Sequence, residues 1–276
     1  MKTKQIECNL KQSSANLKQS SANPKQVSGN IKRIMCVVKY DGSKFFGYQI
    51  QPKGRTVQQE IERALKKICK VEIATHAAGR TDSGVHALGQ VFHFDSPIDM
   101  EAKRYKMAFN SILPKDIYIL DSKEVAPDWH SRFHATSKEY HYRLSTNEYD
   151  PLTCDYIAHH RPRLDIEKMQ QAIAYFLGTH DFTSFTANLE NIDKQRTIYI
   201  AEIIVHQEGE YTFRFVGSGF LKYMVRIMIG TLLHVGVGKI EPEEIPFIII
   251  AKNRNFAGPT AKSEGLYLHS VQYEVK

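Results

Sequence analysis

The spacing of apolar positions changes several times along the chain, and each change predicts an element. Ile34 to Tyr40 (IMCVVKY) is an almost unbroken apolar run, the pattern of a buried strand. Thr56-Val57-Gln58-Gln59 reads as a capping-box start, after which Val57, Ile61, Leu65 and Ile68 recur at helical spacing. Gln90 to Phe94 (QVFHF) is strand-like, and Tyr211 to Val216 (YTFRFV) alternates as a half-buried strand does. Asp165 can cap a second helix whose stripe is Met169, Ala172, Ile173, Phe176 and Leu177, with Gly178 as the stop. A third helix carries Leu221, Met224, Val225, Met228, Ile229, Leu232 and Leu233. Strands and helices alternate in both halves, about 33–135 and 136–276. The pattern predicts an α+β or α/β fold with helices on one face of a sheet.

The first thirty residues follow a different rule. They repeat a seven-residue unit: LKQSSAN (10–16), LKQSSAN (17–23) and PKQVSGN (24–30). Each unit offers at most one apolar residue, too few for a coiled-coil seam. Residues 1–32 are therefore expected to be a disordered basic tail. The tail changes how the net charge of +7 is understood. Residues 1–33 hold seven lysines and arginines against Glu7 alone, which leaves about +1 for the rest of the chain. The folded part thus has no bulk positive field, and any nucleic acid it binds must meet basic residues gathered on one face. The four cysteines, Cys8, Cys36, Cys69 and Cys154, are scattered, as expected of reduced cytosolic thiols. No apolar run approaches membrane-spanning length; the longest candidate, Ile245 to Ala251, is far too short. Behind Lys2 and Lys4 lies no apolar stretch, so a secretory signal is not expected.

The most informative stretch is Gly79-Arg80-Thr81-Asp82-Ser83-Gly84-Val85-His86-Ala87. It presents one acid on a tight polar loop, and the nearest carboxylates in the chain are Glu72 and Asp95. A paired-acid hydrolase needs two carboxylates in different roles, and a hard-metal site needs several oxygen ligands. A lone positioned Asp serves best as a nucleophile or as the stabiliser of a carbocation-like centre. On the third helix Arg226 lies off the apolar stripe, with Lys222 and Gly230 one turn to either side. Gly230 would let another backbone approach, and Arg226 would pair with a buried carboxylate and keep it ionised. Tyr140 and Tyr142 share one face of a strand, where an aromatic facing a cleft can stack on a base. The twelve histidines show no repeated zinc spacing, so no metal is expected.

The Gly79–Ala87 stretch resembles the TruA family of tRNA pseudouridine synthases, whose signature around the catalytic Asp reads G-R-T-D-x-G-V-H. Further blocks match in the same order. They are Tyr40 to Gln49, Trp129 to Phe133 leading into Tyr140, Gly178 to Phe185, Arg196-Thr197, Phe220 to Gly230 and Gly265 to Leu268. The resemblance covers about residues 33–275. It implies two ferredoxin-like (RRM-like) halves with joined antiparallel sheets, the pseudouridine synthase fold, and an active cleft between the halves. It implies a cytoplasmic homodimer that grips the anticodon arm of tRNA and isomerises uridine to pseudouridine without metal or cofactor. Asp82 is then the catalytic acid, Tyr140 stacks on the flipped uracil, Arg80 takes part in flipping, and Arg226 pairs with Asp82.

Four positions depart from the family pattern. Tyr48 stands where Trp is common, Ile50 and Thr186 where basic residues are common, and Lys262 where proline is common. The changes at Ile50 and Thr186 remove charge that would contact phosphate. That loss motivates a second reading, the same isomerisation on another RNA such as ribosomal RNA. A non-catalytic RNA-binding module would not need the intact Asp loop. A metal hydrolase would need Asp82, His86 and His93 to converge. If the tail's lysines replace the lost charge, deleting residues 1–32 weakens tRNA binding and flattens its dependence on salt. Binding isotherms across a salt series check this, and unchanged binding assigns the tail no part in affinity.

Overall fold

The computed structural model describes residues 31–161, 163–188 and 193–274; the seven-residue repeats lie outside them. The fold is α+β, built on one large, mostly antiparallel sheet. Its strands are β1 (Lys32–Tyr40), β2 (His76–Ala77), β3 (His86–Ser96), β4 (Ile117–Val125), β5 (Ala135–Ser145), β6 (Ala158–His159), β7 (Gly178–Asp181), β8 (Gln195–Gln207), β9 (Glu210–Gly217) and β10 (Leu266–Tyr273). Among the described residues the sheet runs β4-β1-β3-β10-β5-β9-β8-β7, with β2 paired to β3 and β6 to β5. The helices are α1 (Val57–Cys69), α2 (Arg104–Asn110), α3 (Ile166–Ala174), α4 (Met224–Gly236) and α5 (Glu244–Ala251).

The arrangement of β10 positions the site. This strand, last in the chain, lies between β3 and β5. It pairs in parallel with β3 (Tyr267↔His86, Leu268↔Ala87) and antiparallel with β5 (Leu268↔Tyr140). The Asp82 loop, which leads into β3, is thereby brought two strands away from Tyr140.

Local chemistry explains most boundaries. The Thr56 hydroxyl caps α1 by accepting from the Gln59 N–H at 3.4 Å, and Asp165 caps α3 by accepting from the Lys168 N–H at 3.0 Å. Ile34, Cys36, Val38 and Tyr40 are buried along β1, and they join Val57, Ile61 and Leu65 of α1 in the core. Phe94 meets Tyr105 and Phe109 edge-on, with ring centroids 5.2 and 6.0 Å apart. Lys32 and Arg33 belong to β1, where Lys32 pairs with Asp99 and Arg33 with Asp95, each at 2.7 Å. A deletion of residues 1–32 therefore also removes the Lys32–Asp99 pair, and one that leaves β1 whole stops at residue 31.

Some elements differ from expectation. Helix α3 ends at Ala174, and Phe176 and Leu177 fall in the turn into Gly178, whose φ is +96°. Helix α4 starts at Met224, because Tyr223 before it adopts a left-handed φ of 62°. Helix α5 leaves no mark in the sequence pattern. Its residues are apolar on every side, so no periodicity picks out a face. No helix among the described residues is long and apolar enough to cross a membrane.

Gly230 on α4 makes the close approach that its spacing suggested. A Cβ there would lie 1.7 Å from the Pro259 carbonyl oxygen, and one on Gly258 would lie 2.6 Å from Gly230 O. Ala261 N–H then bonds to Arg226 O at 3.0 Å. Two backbones cross where no side chain fits. Gly230→Ala is thus expected to cost about 2–3 kcal/mol through overpacking, and to lower the melting temperature by several degrees. Thermal unfolding checks this; an unchanged midpoint would mean that the 258–261 segment moves aside freely.

Candidate active site

The loop that carries Asp82 is clamped by residues 41–48. Tyr48 N–H donates to Thr81 O at 3.1 Å, and Gly84 N–H and the Ser83 hydroxyl both reach Phe45 O at 3.2 Å. Val85 N–H closes the turn onto Asp82 O at 3.2 Å, and Gly84 takes a φ of +75° that favours glycine. Tyr40 OH pairs with the Thr81 hydroxyl at 2.8 Å. A Cβ on Gly42 would sit 2.0 Å from Val85 O, so the two loops touch backbone to backbone. The two sequence blocks Tyr40–Gln49 and Gly79–Ala87 therefore form one unit, which fixes the peptide on both sides of Asp82.

His86 serves that unit rather than the chemistry. Its Nδ1 accepts from Gly42 N–H at 3.0 Å, which places the proton on Nε2; Nε2 donates to Asp155 O at 2.9 Å. The ring stacks on Tyr267 with centroids 4.7 Å apart, and burial lowers its pKa, so it stays neutral. His93 is similarly engaged. Its Nδ1 lies 3.0 Å from the Ser131 hydroxyl, and burial together with the charges of His130 and Arg33 pulls its pKa to about 4. The histidines that flank Asp82 in sequence are thus held elsewhere.

Asp82 is 22% exposed, and Arg226 from α4 approaches it, 144 residues away in the chain. Arg226 Nη1 donates to Asp82 Oδ2 at 3.5 Å, long for a charge-assisted bond. Arg226 Nε meanwhile donates to Ala261 O at 2.7 Å, and the guanidinium lies 5.2 Å from the Tyr223 ring centre. The Gly230 crossing holds Ala261 in place, and so aims Arg226. Burial raises the pKa of Asp82; the charge and hydrogen bond of Arg226 and the charge of Lys222 oppose this without cancelling it. The sequence pattern suggested that Arg226 would keep the acid ionised; its charge acts in that direction, and burial outweighs it in the net shift.

Tyr140 is 8% exposed, and its ring meets Phe220 edge-on at 5.0 Å. Burial, then the charges of Tyr40 and Asp82, raise its pKa, so the phenol stays protonated. Across the sheet, Tyr140 on β5 and the loop that leads into β3 are separated by β10. Arg80 is exposed, and among the described residues it makes neither a hydrogen bond nor an ion pair. It is not joined to Asp82.

Sequence reasoning missed several contributors. Thr186 is buried and its hydroxyl donates to Lys222 O at 3.1 Å; it braces the turn that presents Lys222 and Arg226 and does not face solvent as a phosphate contact would. Lys138, two residues before Tyr140 and on the same face of β5, donates to Ala78 O at 2.7 Å. A cavity of about 320 Å³ opens beside Ser43, Gly84 and Lys262, adjacent to the loop, but Asp82 is not in its wall. One group among the described residues has donor spacing for a metal: Glu139, His141 and His269. The two imidazoles stack at 4.1 Å and 20°, so their in-plane lone pairs run parallel instead of converging on an ion. Burial would raise the Glu139 pKa, yet hydrogen bonds from His141 and Arg214 outweigh it and pull the pKa to about 2. Glu139 instead accepts hydrogen bonds from His141, Arg214 and Ser270 on the face of β5 opposite Tyr140.

A family model described as tRNA pseudouridine synthase matches residues 36–134 and 172–274. The chain is 50% identical over 244 residues to tRNA pseudouridine synthase A 1 of Bacillus cereus, covering 87% of this chain and 98% of that one. It is 50% identical over 246 residues to tRNA pseudouridine synthase A of Bacillus pumilus, covering 88% and 99%. With tRNA pseudouridine synthase A of Geobacillus kaustophilus it shares 48% over 246 residues, covering 88% and 95%. A solved archaeal box H/ACA sRNP Nop10-Cbf5 complex aligns at a TM-score of 0.33 and 14% identity, over 72% of this chain and 44% of that one, too loosely to bear on the fold. The family match spans most of the described chain, including the Asp82 loop, Tyr140's neighbours on β10 and the Arg226 helix, and the chain belongs to the tRNA pseudouridine synthase family.

Proposed function

We propose that this protein isomerises uridine to pseudouridine in the anticodon stem-loop of tRNA, with Asp82 as its catalytic group and without metal or cofactor. The observation that carries this reading is the Asp82 carboxylate, held 3.5 Å from the Arg226 guanidinium on a loop clamped by residues 41–48. Residues 33–135 and 136–276 act as two ferredoxin-like halves, and the place of β10 between β3 and β5 supports a joint there. A homodimer in the cytoplasm, gripping the arm across both subunits, completes the picture.

The chemistry balances without a co-reactant. The bond from uracil N1 to the ribose C1′ breaks, the base turns, and C5 bonds to C1′. The C5 hydrogen leaves as a proton and N1 gains one. The target must first leave its stack, at a cost of a few kcal/mol. The buried Tyr140 ring offers the extruded uracil a π face, which is worth about 1–3 kcal/mol per base. An ionised Asp82 then either attacks the sugar or removes a sugar proton as the base departs. Arg226 sets its ionisation. Expelling water on binding would shorten the 3.5 Å contact and strengthen it. Arg80, exposed and unpaired among the described residues, is free to take the place the base leaves.

The test is tritium release from tRNA labelled at uracil C5, in excess chelator. Wild type should release label, and Asp82→Ala should lose at least about a thousandfold in rate. Equal release by both would move the catalytic role elsewhere. Because burial raises the Asp82 pKa and Arg226 lowers it, kcat/KM should climb with pH through a value above that of ordinary aspartate. Arg226→Gln removes the lowering charge, so this acid limb should move to higher pH; a limb that stays put would uncouple the two residues.

A further inference from the structure

Most cations of the described chain that reach inward have a carboxylate partner. Arg33 pairs with Asp95, Arg55 with Asp116 and Arg214 with Glu139. Lys138 breaks the pattern. Its ammonium is directed into the cleft face of β5, two positions before Tyr140, and its one bond is to the Ala78 carbonyl at 2.7 Å. Among the described residues no acid pairs with it, so two of its three N–H donors lack a protein acceptor. Arg132 and Arg196 also lack a carboxylate partner among the described residues, and the positive charges of both bear on Lys138. Arg196 is held by the carbonyls of Asp193 and Gln195, and Arg132 lies 6.0 Å from the Phe133 ring centre.

Glycines surround these cations. A Cβ on Gly79 would lie 3.2 Å from Lys138 Nζ, and one on Gly219 would lie 3.6 Å from Arg196 Nε. Across the ladder from Lys138 stands Gly217. A half-buried cation among like charges destabilises the fold, and an arriving anion relieves that cost. Tyr140 lies two residues further along the strand, about 7 Å away, the reach of one nucleotide. An RNA strand whose base stacks on Tyr140 would lay its phosphodiester over the glycines and onto Lys138.

We infer that Lys138, with Arg196, forms an anion subsite that grips the phosphodiester of the extruded nucleotide. This rests on the reading that the chain works on RNA, and it assigns a task to a sequence block, Arg196-Thr197, that the catalytic reading leaves unused. The subsite has its own pH signature. Burial, then the charges of Arg132 and Arg196, pull the Lys138 pKa down to about 8. The ammonium is therefore present below that pH and lost as pH rises through it.

The experiment measures binding of an unmodified tRNA transcript across salt and from pH 7 to 9. It compares wild type, Lys138→Met, Lys138→Arg, Arg196→Ala and the Lys138→Met/Arg196→Ala double variant, with tritium release run in parallel. Lys138→Met should weaken binding roughly fivefold to tenfold and reduce the salt slope by about one. Lys138→Arg should retain the slope. The double variant should lose less than the product of its singles, because both side chains hold one phosphate. Wild-type affinity should fall between pH 7 and 9, and that of Lys138→Arg should not. An unchanged slope with loss confined to kcat would overturn the inference and make Lys138 a brace for the Ala78 carbonyl. Should Lys138→Met fail to fold, equal pH dependence in wild type and Lys138→Arg overturns it as well. Wild type that binds tRNA with these slopes yet releases no tritium would sink the catalytic reading and leave the subsite standing.

Discussion

The structure turns on keeping one carboxylate charged where water is scarce. Burial disfavours the ionised form of Asp82, and the carboxyl is useful to the proposed chemistry only when ionised. Several distant segments bear on this conflict. Helix α4 supplies Arg226, the 258–261 segment aims it through Ala261 O, and the Gly230–Gly258 crossing brings that segment in. Thr186 braces the turn ahead of α4. On the other side the 41–48 loop removes the freedom of the peptide around Asp82. At 3.5 Å the central pair is left loose, so the site holds back a bond that desolvation by a substrate would tighten.

What the sequence disclosed depended on how local its physics was. The caps at Thr56 and Asp165, the shared face of Tyr140 and Tyr142, and the close approach at Gly230 each follow from a rule acting over a few residues, and each appears in the fold. Position in the sheet is different. Nothing in Leu266–Tyr273 says that the last strand inserts between β3 and β5, because the pairing depends on partners over a hundred residues away. Helix α5 was hidden by uniform hydrophobicity, and α2 by being only seven residues long.

The candidate site was legible in its residues and illegible in its balance. Arg226 reaches Asp82 across 144 residues of chain, while Arg80 stands apart, exposed. The sign of the Asp82 shift is a contest between burial and a cation, and spacing along a chain carries neither the depth nor the 3.5 Å separation that decides it. The same limit applied to His86. Beside the acid in sequence it looks catalytic, yet a backbone N–H and a backbone carbonyl occupy both its ring nitrogens. Thr186 shows the reverse error: a position that looks like surface in sequence is buried, and its hydroxyl acts on the turn behind the active cation.

The distribution of charge then gives the fold a division of labour. With about +1 beyond residue 33, long-range attraction to RNA cannot come from the folded part as a whole. Most inward-reaching cations are already neutralised by acids and act as scaffold, as at Arg33–Asp95 and Arg55–Asp116. Some of those without an acid partner among the described residues, Lys138 and Arg196 with the exposed Arg80 and Arg132, lie in or beside the blocks that contain Asp82 and Tyr140 or lead into them. A half-buried Lys138 without an acid partner among the described residues works against stability, since an unpaired charge away from water destabilises the protein around it. Lys138 keeps two N–H donors without a protein acceptor, and in the inferred subsite those donors meet the phosphodiester that an RNA target brings.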